Sequence, residues 1–106
     1  MNIKYKIWLE KDDKVVFGHG RAELFQAIEE CRNLTAAAKK LGMSYRAAWG
    51  RLRASEMRLG VKLVDAGCGK AMSLTPVAKA LLEKFRRIEN ETEAFLEKAG
   101  SEFSDI

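Results

Sequence analysis

The amino-acid sequence predicts a mainly α-helical domain with a small β component, and three stretches carry that reading. Residues 35–60, TAAAKKLGMSYRAAWGRLRASEMRLG, form two helical patterns broken at Gly42-Met43-Ser44. VKLVDAGCGKAMSLT follows, with two short β-prone runs around a glycine-containing tip. Thr75-Pro76 then opens a long amphipathic stretch reaching about Ala99.

At the N-terminus, Ile3, Tyr5, Ile7 and Leu9 alternate with Lys4, Lys6 and Trp8. The polar Lys11-Asp12-Asp13-Lys14 follows, and then Val15-Val16-Phe17. Period-two alternation on either side of a turn-forming cluster predicts a β-hairpin over residues 1–18. Gly18-His19-Gly20 separates it from a helix over residues 21–32, with Ala22, Leu24, Phe25, Ile28 and Cys31 inward. Asn33 or Thr35 caps the next helix, in which Ala36, Ala37, Ala38 and Leu41 give a small, closely packing surface. Gly42 suits the left-handed position that ends such a helix, and Ser44 caps the following one. A break this short between two helices is a helix-turn-helix, spanning residues 35–59.

Strands are expected around Lys62-Leu63-Val64 and Met72-Ser73-Leu74, with Gly67 to Gly69 at the tip. A strand pair placed after a helix-turn-helix is a wing, here residues 62–74. Thr75 caps the last helix and Pro76 sits in its first turn, where a missing N–H costs nothing. Gly100 lies beyond its end, and residues 101–106 form a frayed tail. The expected fold is a winged helix-turn-helix in one domain, residues 1–100, with an N-terminal β-hairpin and a long C-terminal dimerisation helix over 76–99.

At 106 residues the chain can bury one core without staples. No apolar run is long enough to cross a membrane, and the N-terminus has no signal-peptide apolar block, so a cytoplasmic location is expected. Cys31 reads as a core thiol, Cys68 as a loop residue and His19 as a loop or helix-start residue. Neither cysteine has a CxxC partner, and one histidine cannot build a metal cluster. No nucleophile–base pair or phosphate-cradling loop is present. Neither an enzyme nor a cofactor is expected.

Net charge is only +4, but it is unevenly spread. Residues 35–72 hold Lys39, Lys40, Arg46, Arg51, Arg53, Arg58, Lys62 and Lys70 against Glu56 and Asp65. From residue 88 onwards Glu89, Glu91, Glu93, Glu97, Glu102 and Asp105 face Lys98 alone. A polyanion should meet the middle of the chain and avoid its C-terminus.

Advancing 100° per residue along the second helix of the motif gathers Tyr45, Ala48, Trp49, Leu52 and Leu59 on one side, taken as the core side. Opposite lie Ala47, Gly50 and Ala54, edged by Arg46 and Arg53 on one flank and Arg51 and Arg58 on the other. Small residues at the centre permit close approach to base edges, and arginines at the edges meet phosphate walls. Arg46 and Arg53 are best placed to fork guanine edges. Lys70 is the wing cation, and Lys39 and Lys40 can hold a flanking phosphate. A solvated basic face on an ordinary helical protein is the bland alternative. The conjunction of motif, small-residue strip and glycine-tipped wing argues against it.

NLTAAAKKLGMSYRAAWGRL, KLV, a glycine-containing wing and LTPVAKALLEKFRRIE resemble the DNA-binding domain of ModE-type molybdate-responsive regulators, and more loosely LysR-type regulators. Gly42 to Trp49 is the most specific part, and the resemblance runs from the hairpin to about residue 90. It implies a transcription factor binding a palindromic operator as a dimer, with Ser44, Tyr45, Arg46 and neighbouring exposed positions at the DNA. The candidate DNA-contacting set is Thr35, Lys39, Lys40, Ser44, Tyr45, Arg46, Ala47, Gly50, Arg51, Arg53, Ala54, Arg58 and Lys70. In the resembling family molybdate is sensed by a further C-terminal domain. This chain is expected to lack that domain, and no ligand residues transfer. The wing DAGCGKAMS is also shorter and less glycine-rich than the family's usual form.

Along the last helix Ala78, Leu81, Phe85, Ile88, Thr92, Phe95 and Ala99 recur at spacings of three and four, the seam pattern of paired helices. Leu81, Phe85, Ile88, Thr92 and Phe95 are the candidate homodimer interface. The expected function is sequence-specific double-stranded DNA binding as a homodimer that regulates transcription, with RNA polymerase or another regulator as possible further partners. An alternative is a protein-interaction subunit that pairs with or antagonises a full-length regulator. A weaker one is a non-specific architectural DNA binder.

Overall fold

The computed structural model describes residues 1–66 and 71–106. Its elements are β1 (Trp8–Lys11), β2 (Lys14–Gly18), α1 (His19–Cys31), α2 (Leu34–Lys40), α3 (Tyr45–Leu59), β3 (Val64–Asp65), β4 (Ser73–Leu74) and α4 (Pro76–Ser101). This is the expected winged helix-turn-helix order. Gly67, Cys68, Gly69 and Lys70, which include the expected wing cation, lie outside the described residues.

β1 and β2 pair antiparallel around Asp12 and Asp13, both at positive φ. Two successive left-handed residues make the tight turn whose twist matches a hairpin, and aspartate tolerates that conformation better than most side chains. Leu9 lies opposite Phe17 and Glu10 opposite Val15, so Val16 is an extra residue on β2. That bulge explains why the consecutive residues Val16 and Phe17 are both buried, where a regular strand would send one outward. The strand begins only at Trp8, later than the alternation from Ile3 implies.

Residues 1–7 instead approach the far end of α4. Tyr5 Oη donates to the carbonyl of Glu89 at 3.2 Å. A Cβ at Gly100 would stand 2.7 Å from the Met1 carbonyl oxygen. Gly100 is therefore a close-packing position inside α4 and not the stop beyond it, and α4 continues to Ser101. Burial, then the charges of Glu93 and Glu89, push the Tyr5 phenol above its ordinary range.

The core collects Phe17, Leu24, Phe25, Ile28, Leu34, Leu52, Leu63, Leu74 and Phe85 from every layer of the domain. Phe17 stands edge-on to Phe25 and to Phe85, with ring centroids 5.1 and 5.2 Å away. Asn33 caps α2, its side chain accepting from Ala36 N at 2.8 Å, so of the two possible caps Thr35 is not the one used. Gly42 has φ +69°, the left-handed exit expected of it. Ser44 Oγ accepts from Ala47 N at 3.1 Å and opens α3.

β3 and β4 are shorter than the sequence implies, with Val64 opposite Leu74 and Asp65 opposite Ser73. Two glutamates hold the base of this strand pair. Glu56 Oε2 accepts from Leu63 N at 2.9 Å and from Val64 N at 3.4 Å. Glu29 Oε1 accepts from Leu74 N at 2.7 Å. Thr75 caps α4 by accepting from Ala78 N, and its hydroxyl donates to the Lys62 carbonyl. After Ser101, residues 102–105 continue as turns.

The candidate nucleic-acid interface

α3 buries Ala48, Leu52, Ser55 and Glu56, with Leu59 partly covered. Ser55 Oγ donates to the carbonyl of Val16 at 2.6 Å, reaching the bulged residue of the hairpin. Tyr45 and Trp49, expected on the core side, are 53% and 44% exposed. The true core axis runs through Leu52 and Ser55, so both aromatics fall on its edge. Ser55 and Glu56 are polar, so a pattern of apolar residues does not pick them out. Their positions seven and eight residues after Ala48 are the helical-period signal that would have found them.

Turning α3 so that Leu52 and Ser55 face inward puts Gly50 at the centre of the outward face. A Cβ there would meet nothing within 4 Å. Arg46 and Arg53 flank it on one side and are exposed. Arg53 lies 6.0 Å from the Trp49 ring and 3.4 Å from a Glu56 carboxylate oxygen, so Trp49 shares an edge with a cation. No salt bridge engages Arg46 among the described residues, and its guanidinium is free to fork a partner. Ala47 and Ala54 are half-buried, lower on the flank than the strip implied.

Arg51 and Arg58 form the other flank, beside the hairpin. Arg58 donates to the Val15 carbonyl, so it braces β2 as well as carrying charge outward. Arg51 contacts Met43 Sδ at 3.9 Å, and its own carbonyl accepts from Arg21 Nε at 3.4 Å. Thr35, Lys39, Lys40, Ser44 and Tyr45 are all exposed on α2 and at the start of α3. Lys40 pairs with Glu30, which holds the Glu30 carboxyl below and the Lys40 ammonium above their ordinary ranges. Lys39 has no such partner among the described residues and is the freer cation of the two.

The expected interface stripe on α4 divides. Phe85 is 0% exposed inside its own domain, against Phe17, so it is not available to a second copy. Leu81 and Thr92 are half-buried. Ile88 and Phe95 are 40% and 70% exposed; Val77 is exposed on the same side of the helix but about three turns earlier. His19 packs against the inner side of α4, with Nδ1 2.7 Å from Glu89 and Nε2 2.6 Å from Glu23.

Among the described residues, no three His, Cys, Asp or Glu side chains gather as a metal would require. No helix of those residues is long and apolar enough to cross a membrane.

Residues 20–79 match the family of bacterial regulatory helix-turn-helix proteins of the lysR family. The molybdenum-pterin-binding protein MopB of Rhodobacter capsulatus is 33% identical over 76 residues, which cover 68% of this chain. The chain spans only 28% of MopB's length. The crystal structure of a complex of the CbnR DNA-binding domain with DNA is similar at TM-score 0.63 and 29% identity, over 77% of this chain and 93% of that one. Vibrio fischeri DarR in complex with DNA is similar at TM-score 0.60 and 26% identity, over 76% of this chain and 27% of that one. Oxidized Corynebacterium glutamicum OxyR is 31% identical at TM-score 0.57, over 76% of this chain and 26% of that one.

Proposed function

Because the chain belongs to the bacterial regulatory helix-turn-helix proteins of the lysR family, we propose that it binds double-stranded DNA sequence-specifically as a homodimer and regulates transcription in the cytoplasm. The observation that carries this is the outward face of α3. Gly50 opens onto empty space there, with exposed Arg46 and Arg53 on one side and Arg51 and Arg58 on the other. A backbone with no side chain can come close to base edges, while guanidiniums at the flanks meet the phosphate walls. Arg46, exposed and in no salt bridge among the described residues, reads a guanine; Lys39, Thr35 and Ser44 lie at the adjoining backbone. The DNA complexes named for CbnR and DarR support the choice of duplex DNA. The match to MopB, together with Gly42 to Trp49, supports ModE-like operator reading by this domain.

The dimer rests on α4. Ile88 and Phe95 stand exposed on one side of α4 among charged neighbours, and soluble monomers rarely leave large apolar patches uncovered. Pairing two copies along it sets the recognition helices about 34–36 Å apart, or a multiple of that, on a palindromic operator. The glutamates of α4 keep this helix off the phosphates.

Selection of bound duplexes from a random pool, followed by titration of the winner at several salt concentrations, tests the proposal. A palindromic consensus bound with a steep salt slope is expected. No enrichment and no salt-dependent binding would refute it.

A further inference from the structure

Between the hairpin and the start of α1 lies an open cleft of about 420 Å³, edged by Lys6, Trp8, His19, Arg21 and Arg51. Most of this edge, Lys6, Trp8 and His19, precedes residues 20–79, so the cleft is largely built by a part of the chain that the family match does not cover. Arg51 adjoins Gly50 on α3, which puts the cleft on the hairpin side of the face that enters the groove.

Its charge is one-sided. The Arg21 side chain is half-buried and its Nε donates to the Arg51 carbonyl at 3.4 Å, which brings the Arg21 guanidinium up to α3, while the Arg51 guanidinium reaches Met43 Sδ at 3.9 Å. Burial, with the positive charges of Arg58 and Arg51, pulls the Arg21 guanidinium below its ordinary pKa. None of Lys6, Arg21, Arg51 and Arg58 has a carboxylate within salt-bridge distance among the described residues. The nearest carboxylates lie behind the cleft's own edge residues and not on its cations: Glu10 accepts from the Trp8 indole at 2.7 Å, and Glu23 and Glu89 stand against His19. Like charges gathered with no carboxylate paired directly to them cost free energy, and an anion seated among them would relieve it.

We propose that this cleft seats a backbone phosphate of the bound duplex, so that the N-terminal hairpin acts as a second backbone clamp on the flank of α3. Lys6 and Arg21 supply the charge from outside the helix-turn-helix, and Arg51 supplies it from α3. Arg58 holds the hairpin in place through the Val15 carbonyl. A phosphodiester fits because its charge is accessible from several directions to forked donors, and because contact with it carries no base information. This inference rests on the DNA-binding reading above.

The test is a salt titration of the full chain with the selected operator and with a scrambled duplex of equal length. Lys6→Gln and Arg21→Gln are made singly and together, with Arg21→Lys as the charge-preserving control. Losing one phosphate contact should make the log–log salt slope shallower by about 0.9 in the double variant. Affinity for both duplexes should fall by the same factor, leaving their ratio unchanged, and Arg21→Lys, which keeps the charge, should keep the wild-type salt slope. Lys6 is exposed, so Lys6→Gln alone should fold normally and move the slope in the same direction.

Wild-type slope and affinity in a folded double variant would overturn the clamp while leaving the DNA reading intact. A loss confined to the operator would overturn it too, because that is base readout. Absence of duplex binding by the wild type would overturn both readings. Inorganic phosphate is the probe for a free oxyanion, followed by Trp8 fluorescence in a Trp49→Phe background. Saturation by phosphate, with DNA binding indifferent to Lys6 and Arg21, would assign the cleft to a small anion and overturn the proposal.

Discussion

Gly50 offers a perturbation that should move stability and DNA binding in opposite directions. Glycine inside a helix costs about 0.8–1.0 kcal/mol relative to alanine, and leucine forms helix nearly as well as alanine. A Cβ at Gly50 meets nothing within 4 Å, so no clash offsets that gain. Gly50→Ala and Gly50→Leu should therefore each stabilise the domain by about 1 kcal/mol, and raise the melting temperature by roughly 4–8 °C for a domain of this size. The duplex should discriminate between them. A methyl group adds little depth to the face, whereas a leucine side chain stands where the base edges must approach. Operator affinity of Gly50→Leu should drop to the level of scrambled DNA, a loss on the order of 10³-fold or more. Melting by circular dichroism and fluorescence anisotropy on both duplexes at one salt concentration give the two readouts. Unchanged operator affinity in a well-folded Gly50→Leu protein would mean that this face does not enter a groove. A destabilised Gly50→Leu protein would mean that the site is not open.

Further outcomes follow from single side chains. Arg46→Ala should relax preference at one operator position by about 1–3 kcal/mol; a loss equal across all sequences would assign Arg46 to phosphate. Glu56→Leu strands the amides of Leu63 and Val64 and should cost about 2–4 kcal/mol in urea unfolding, with faster hydrogen exchange at those two amides. The Glu30–Lys40 pair should add stability only between its two titrations. Glu30 is depressed, so its share is lost as pH falls through the carboxylate range; Lys40 is raised, so its share is lost as pH climbs past the lysine range. The gap in melting temperature between wild type and Lys40→Met should be widest near neutral pH and close in acid. Because Glu30 already occupies Lys40, Lys40→Met should weaken duplex binding less than Lys39→Met. Ile88→Glu with Phe95→Glu should give monomers with sharply reduced operator affinity. Light scattering showing a wild-type monomer at micromolar concentration would refute pairing through α4.

Most elements were legible because each carried its own local chemistry. Asn33, Ser44 and Thr75 are caps whose side chains accept from the amide three residues on, and Gly42 is the left-handed exit. Such signals span three or four residues and need no tertiary knowledge. The misreadings have a different origin. Ile3 and Tyr5 alternate as strand residues do, yet the segment lies along α4, because alternation records two unlike faces and not what pairs with the backbone. Helical phase groups Tyr45 and Trp49 with Ala48 and Leu52, yet both are largely exposed at the edge of that face. The core face of α3 instead uses Ser55 and Glu56, whose polar atoms are matched by Val16, Leu63 and Val64. A buried polar group is invisible until its partner, far away in sequence, is known. The cationic cleft was hidden for the same reason, since Lys6, Arg21 and Arg51 come together only through the fold.

The long helix shows how far spacing alone can reach. Apolar residues at steps of three and four look like one seam, but an α-helix turns 3.6 residues, and residues seven apart drift by about 20°. Phe85 sits at the inner margin of that drifting band and is closed over by Phe17. Ile88 and Phe95 sit further round, on the side the domain leaves open. The inner side of the same helix is meanwhile occupied along its length, by the core at Phe85, by His19 and Tyr5 at Glu89, and by Met1 at Gly100. The residues N-terminal to the helix-turn-helix therefore press α4 against its own domain and leave Ile88 and Phe95 exposed, the side on which the proposed pairing rests. Glu89 also ties α4 to the start of α1 through His19, 2.7 Å away. Arg21, two residues on, donates to the Arg51 carbonyl of α3 at 3.4 Å, so hydrogen bonds run from α4 through α1 to the helix that carries the proposed DNA face.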